Sequence, residues 1–283
     1  MNVWGTFDLT EEFVESMRRS LDFDYDYFIN LSGQCYPTKS IKFINEFFNV
    51  NHGYSFIEHK KIPDYSLASD GRISRFRYKY YKVPFGELFR YRPFSGKRYD
   101  ASIFASIQKL VNRKLFYGRR YDANLFAWTP RILNRDIEKL NLYGGSTWFF
   151  LRRKHVEYIL DFINNNKEIV RFFRRVWAPD EHFFQTILAG EYSKGEIKND
   201  NLRYVDWSTD GSETPPRTLR IKDFDKIVTS GKLFARKFDE NVDKEILDKI
   251  DNDILIVTRT NNRLNMGGTP YPLTWCAPSS PSG

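Results

Sequence analysis

Two adjacent carboxylates, Asp180 and Glu181, follow a proline in the run Trp177-Ala178-Pro179-Asp180-Glu181-His182-Phe183-Phe184. Pro179 suits a first helical turn, where a missing N–H has no partner to lose. Phe183, Phe184, Ile187 and Leu188 supply an apolar face for the helix expected to follow. Acids at this point have two uses. They complement the helix dipole, or one of them is a general base at the mouth of a cleft, taking a proton from a bound hydroxyl.

The cations that would complete such a site are Arg236 and Lys237, which follow the apolar segment Leu233-Phe234-Ala235. A guanidinium fork beside an ammonium can hold a diphosphate without a metal. Basic pairs are common on surfaces, so this one gains meaning only together with a base. Metal chemistry has less support. His52, His59, His155 and His182 are spaced too widely to suggest a ligand cluster, and His155, in the polar start of an amphipathic helix, reads as a surface residue. Asp22, Asp24 and Asp26 alternate as in a DxD metal motif, but they precede a strand rather than leave one, which suits a solvated loop. Walker-type, GxGxxG, HExxH and GxSxG patterns are absent.

The elements that must position these groups alternate. A helix with Thr10 as N-cap carries Phe13, Met17 and Leu21 on one stripe. Tyr27 to Leu31 reads as a short buried strand, and Ser32 to Pro37 as a turn. Ser40 caps a second helix with Ile41, Ile44, Phe47 and Phe48 on its apolar face. Strands are expected over Tyr54 to Ile57 and Ile73 to Tyr81, and a helix around Ile103 to Leu110. Gly144-Gly145 turns into a buried strand, followed by a helix with Val156, Ile159, Leu160 and Ile163 inside. Leu202 to Val205 is a strand, Asp223 to Gly231 a helix closed by a C′ glycine, and Val242 to Ile250 a last helix. Helix, strand, turn and helix in this order indicate an α/β fold. Residues 1–260 read as one domain and 261–283, rich in Gly, Pro, Ser and Asn, as a flexible tail.

The 283 residues, 41% of them hydrophobic, can bury a full core. No apolar run approaches the ~20 residues that span a bilayer, and the start at Met1-Asn2-Val3 carries no signal-peptide pattern. Cys35 and Cys276 are too few for a disulfide framework or a zinc site, which points to a reducing compartment. A net charge of +8 favours anionic partners.

Taken in order, several blocks resemble the Core-2/I-branching glycosyltransferases, which include β-1,6-N-acetylglucosaminyltransferases and peptide xylosyltransferases. They are Trp4-Gly5, Tyr25 to Pro37, Tyr143 to Phe149, Pro179 to Thr186, Arg203 to Trp207, and Leu233 to Asp239. The resemblance implies a GT-A-type α/β fold, with a central mixed sheet flanked by helices, and inverting, metal-independent transfer from a UDP-sugar, with N-acetylglucosamine or xylose as the leading donors. It implies Glu181 as catalytic base and Lys237, with Arg236 beside it, on the donor diphosphate. A second cation upstream is matched best by Arg217, with Arg220 as fallback. Ser146 and Trp148 are implied in the sugar and acceptor cleft, with Asp180 and Trp207 beside them.

No cofactor is implied beyond the donor itself. The partners are a UDP-sugar and a glycan or protein hydroxyl. The family has Asp where this chain has Cys35, and a βαβ segment before Trp4, so an N-terminally truncated domain is expected. Eukaryotic members are Golgi membrane proteins; for this chain the expectation is a cytoplasmic enzyme, with peripheral membrane association left open. Two other classes remain. One is a non-catalytic glycan-binding relative that has lost its donor site. The other is a basic nucleic-acid or membrane-surface binder, motivated by Arg171-Phe172-Phe173-Arg174-Arg175, a run too short and motif-free to favour it.

Overall fold

The computed structural model describes residues 5–64, 72, 74–77, 79–82, 88–91, 141–208 and 215–256. In chain order the helices are α1 (Asp8–Ser20), α2 (Ile41–Val50), α3 (Ser74–Arg77), α4 (Arg153–Asn165), α5 (Lys167–Phe173), α6 (Phe183–Ile187), α7 (Phe224–Thr229) and α8 (Glu245–Ile250). The strands are β1 (Tyr27–Ile29), β2 (Tyr36–Pro37), β3 (Ser55–Ile57), β4 (Lys60–Lys61), β5 (Lys79–Lys82), β6 (Leu88–Tyr91), β7 (Tyr143–Gly144), β8 (Phe149–Arg152), β9 (Ile197–Lys198), β10 (Arg203–Val205) and β11 (Phe234–Arg236). The chain divides into two compact units, Met1–Asn30 with Tyr54–Asn201, and Leu31–Gly53 with Leu202–Gly283. The architecture is α/β, with a mixed four-stranded sheet in the first unit and a three-stranded sheet in the second among the described residues.

The first unit is built on a mixed sheet in the order β1-β8-β3-β9. β8 is antiparallel to both neighbours, pairing Phe28 with Leu151 and Phe56 with Phe150, while β3 runs parallel to β9. Phe149, Phe150 and Leu151 are fully buried, as a strand covered on both faces must be. Each such side chain contributes roughly 1.5–3 kcal/mol through burial. Val156, Ile159 and Ile163 of α4 and Val14 and Met17 of α1 join the same core, and Phe183 stands edge-on to Phe7 and Phe173 at 5.3 Å.

Asn30 ties β1 to the next part of the site. Its Nδ2 donates to the Thr147 carbonyl at 2.8 Å, and its Oδ1 accepts the Phe149 N–H at 2.8 Å.

The second unit has a three-stranded sheet, β10-β11-β2, with β10 parallel and β2 antiparallel to β11. Its core holds Leu219, Ile227, Ala235, Phe238, Ile246 and Ile250.

Several sequence expectations shift. α1 begins at Asp8, not after Thr10, because Thr6 Oγ1 receives the Asp8 N–H at 3.4 Å and Phe7 turns inward; Thr10 is a buried helix residue. Ser40 does cap α2, accepting the Phe43 N–H at 3.2 Å, but of the expected face only Ile44 is fully buried while Ile41 is exposed. The strand expected over Ile73 to Tyr81 is a helical turn, α3, followed by β5. The helix expected to start at Pro179 and run through Leu188 is a 3-10 turn, Pro179–Glu181, followed by the short α6. α8 starts at Glu245 rather than Val242. The helix expected around Ile103 to Leu110 and the tail 261–283 lie outside the described residues.

Candidate active site

In the first unit, Glu181 sits at the end of a turn that the backbone holds on both sides. Ala178 takes the left-handed conformation, φ 47°, and its N–H donates to the Gly5 carbonyl at 3.0 Å. Gly5 itself has φ +81°, and a Cβ there would lie 2.5 Å from the Trp177 ring. On the other side the Gly145 N–H donates to the Glu181 carbonyl at 2.9 Å. Gly144 and Gly145 leave room for this approach: a Cβ on Gly144 would meet His182 Nδ1 at 2.5 Å, and one on Gly145 would overlap the Glu58 carbonyl.

The Glu181 side chain is 27% exposed, and its Oε2 accepts from Arg72 Nη1 at 3.1 Å and from Arg75 Nη1 at 2.5 Å. Among the described residues its Oε1 accepts no hydrogen bond, so one oxygen is anchored and the other available. Arg75 Nη1 also lies 3.2 Å from His182 Nε2. His182 is fully buried, and burial together with the Arg75 and Arg72 charges holds it well below the ordinary imidazole range. It is therefore a neutral acceptor that fixes Arg75.

Asp180 differs from its neighbour. Thr147 Oγ1 donates to Asp180 Oδ2 at 2.6 Å. Burial pushes its carboxyl up, the Thr147 hydrogen bond opposes this, and the Glu181 charge adds to it. Two adjacent acids thus have separate environments, one complemented by two guanidiniums and one by a single hydroxyl, the kind of difference that separates roles in acid–base chemistry. Ser146 Oγ accepts the Trp148 N–H at 3.3 Å, and the Ser146 carbonyl accepts from Gln185 Nε2 at 2.7 Å. Trp148 is half-buried. The 145–147 segment is thus bonded to the acids through the Gly145 N–H on the Glu181 carbonyl and the Thr147 hydroxyl on Asp180, with Ser146 between them held by Gln185.

In the second unit, Arg236 closes β11, and Lys237 follows it, half-buried and without an ion pair among the described residues. The register sets Arg203 opposite Phe234 and Val205 opposite Arg236. The Tyr36–Ala235 pairing brings Cys35 to the level of Arg236. Burial pushes the Arg203 guanidinium down to about 10 and Arg236 in the same direction, with Cys35 opposing in both cases. Both remain cations at neutral pH. Trp207 is 66% exposed.

Arg217 is fully engaged within the second unit. Its Nε and Nη2 donate to Asp206 Oδ2 at 2.9 and 2.6 Å, its Nη1 and Nη2 to Asp223 at 2.8 and 2.6 Å, and Nη1 also reaches the Thr218 carbonyl at 3.5 Å. A guanidinium has five N–H donors, and these contacts engage all of them. Arg217 thereby ties Asp206 to Asp223.

His155 is a correction: it is 2% exposed, inside rather than on the surface.

The family model of the Core-2/I-branching enzyme matches residues 3–228. The chain belongs to that family. Among similar proteins, Xylosyltransferase 1 of Canis lupus familiaris is 26% identical over 274 residues, 88% of this chain and 24% of that protein. Xylosyltransferase 2 of Homo sapiens is 25% identical over 272 residues, 89% of this chain and 26% of the relative. Beta-glucuronosyltransferase GlcAT14B of Arabidopsis thaliana is 30% identical over 145 residues, 50% of this chain and 31% of that protein. This branching-family chain therefore spans about a quarter of the length of the xylosyltransferases it matches.

Arg72, Arg75, Thr147, His182 and Asn30 escaped the sequence reading. The three-residue spacing of Arg72 and Arg75 in a basic segment was the available signal for the first two. Nothing local connects them to an acid 106 residues further on. No helix among the described residues is long and apolar enough to cross a membrane.

Proposed function

We propose that residues 1–260 form the transferase domain of an inverting, metal-independent glycosyltransferase that uses a UDP-sugar and a glycan or protein hydroxyl. The observation that carries the reading is Glu181, held at Oε2 by Arg72 and Arg75 with Oε1 available. Inversion places the acceptor hydroxyl on the face of the sugar opposite the departing diphosphate, and a carboxylate there takes its proton as the new bond to the anomeric carbon forms. Glu181 has that role. Asp180, Ser146 and Trp148 shape the acceptor side, with the Trp148 and Trp207 rings available to pack on sugar faces.

Lys237, with Arg236 beside it, stabilises the charge that develops on the leaving diphosphate, the task a metal performs elsewhere. Arg217 contributes by fixing the fold around it rather than by contact. Xylose and N-acetylglucosamine are the first donors to test, and the name of the Arabidopsis relative adds glucuronic acid. A non-catalytic glycan-binding role is the second reading, favoured by one observation: the full engagement of Arg217 removes one of the three expected donor cations.

The deciding experiment screens UDP-xylose, UDP-N-acetylglucosamine and UDP-glucuronic acid against glycan and peptide acceptors, with EDTA present. UDP binding is measured in parallel by calorimetry. The wild type should turn over one donor, and Glu181→Gln should abolish transfer while UDP still binds. Near-normal turnover by Glu181→Gln would remove Glu181 from the mechanism. Glycan binding without UDP binding in the wild type would establish the second reading.

A further inference from the structure

His155, Glu191 and Glu196 converge within the first unit, although they come from the first turn of α4, from the link between two 3-10 turns, and from the residue before β9. One nitrogen of His155 and one oxygen of each carboxylate all lie within 4.8 Å of one another. His155 Nε2 stands 3.9 Å from Glu196 Oε2. It is a buried polar atom that makes no hydrogen bond among the described residues, on a side chain only 2% exposed.

The other ring nitrogen is fixed. His155 Nδ1 lies 2.6 Å from Ser55 Oγ, and the same oxygen accepts the Arg152 N–H at 2.8 Å. Ser55 also donates its own N–H to the Glu196 carbonyl at 2.9 Å. A single strand residue thus sets the imidazole plane and places the Glu196 backbone. An imidazole oriented through one nitrogen, with the other aimed at carboxylates, is how proteins prepare a histidine for a metal.

We propose that His155 Nε2, Glu191 and Glu196 form a binding site for a zinc-type divalent cation, separate from the transferase chemistry. One nitrogen and two carboxylate oxygens, with water as fourth ligand, suit tetrahedral zinc. Bonds of about 2.0–2.2 Å set neighbouring ligand atoms roughly 3.3–3.6 Å apart, so the groups need to close by about an ångström. The required tautomer has Nδ1–H donating to Ser55 Oγ, which still has a lone pair beyond the one taken by Arg152.

Two ammonium groups now neutralise the carboxylates. Lys154 Nζ is 2.6 Å from Glu196 Oε2 and Lys194 Nζ 2.9 Å from Glu191 Oε2. Both lysines are substantially exposed, at 41% and 59% of their side chains, so they can swing into water when a cation enters. The bound ion would clip the irregular 188–196 segment to α4 and β3.

The test uses the full chain after chelator treatment, with Co2+ as the spectroscopic probe and Zn2+ as competitor. We expect one Co2+ per chain with the intense visible absorption of a low-coordinate site, displaced by Zn2+, and a higher melting temperature with either ion. Glu196→Gln, on a half-exposed side chain that the fold does not need buried, should weaken binding by at least about tenfold, and His155→Gln should weaken it further. Lys154→Met removes a competing cation and should tighten binding. Absence of saturable Co2+ binding in the wild type would overturn the proposal. So would unchanged affinity in Glu196→Gln and His155→Gln, or Lys154→Met binding no tighter than wild type.

Discussion

Replacing Arg217 by Met keeps the length of the side chain and deletes every donor. Asp206 and Asp223 both accept from Arg217 Nη2 at 2.6 Å, so without it two carboxylates face each other with no cation between them. Their side chains are 13% and 2% exposed, and that of Arg217 is 18% exposed. Removing one member of a fully buried ion pair costs about 3–5 kcal/mol. Water at the exposed edge recovers part of this, so we expect a loss of roughly 2–4 kcal/mol. For a protein of this size that lowers the melting temperature by roughly 5–15 °C. The assay is thermal and urea unfolding followed by circular dichroism. A triple variant, Arg217→Met with Asp206→Asn and Asp223→Asn, should regain much of the loss, because amides do not repel as carboxylates do. If Arg217→Met melts like the wild type and only weakens UDP binding, the guanidinium is a donor ligand and the reading of its contacts fails.

Other perturbations follow from the same geometry. Burial alone would raise the Asp223 carboxyl, but Arg217 and the Arg220 N–H outweigh it, and Asp206 is likewise held low, mainly by Ser208 and Arg217. Depressed carboxylates give stability that is complete above about pH 4 and lost as pH falls through their folded values, a loss that the triple variant should lack. Buried neutral His182 acts earlier. Its folded value lies below that of the unfolded chain, so the unfolded state takes up protons first and the melting temperature should start to fall below about pH 6.5; a flat profile from pH 7 to 5 would contradict this. Arg75→Met should lower kcat by roughly 10–100-fold with UDP binding unchanged, because Glu181 loses its closest anchor; unaltered kcat would show that the anchor is dispensable. Gly145→Ala should cut soluble yield sharply, since its methyl would overlap the Glu58 carbonyl; a wild-type melting curve would show that the backbone yields there.

The α/β class and most core elements could be read from sequence because their signals are local. The apolar run Phe149 to Leu151 and the Val156, Ile159, Ile163 stripe are periodic in ways that burial demands, and the structure buries them. The family blocks pointed to Glu181 and Lys237 for the same reason, since each lies inside a short pattern. What sequence hid was pairing at a distance. The Asp206 and Asp223 partners of Arg217 are recognisable only once the chain has folded back. His155 looked exposed because the first turn of an amphipathic helix is commonly polar; β3 and the residues before β9 cover it. Thr10 is not the cap because α1 starts earlier, at Asp8 after a buried Phe7, and encloses Thr10 as a buried helix residue.

The anchoring of Glu181 has a consequence for the order in which the molecule is made. Its two arginine partners lie 109 and 106 residues earlier in the chain, and its backbone is tied to Gly145 and, through Ala178, to Gly5. Contacts of such range carry the entropy of closing long loops before they return any stability. The strands and helices around Phe149 can gather early, but the carboxylate acquires its setting only when distant segments have docked. A ribosome-bound chain that has not yet released residue 181 also lacks Phe183, Phe184, Ile187 and Leu188 of the core, so the carboxylate and the packing around it are completed together.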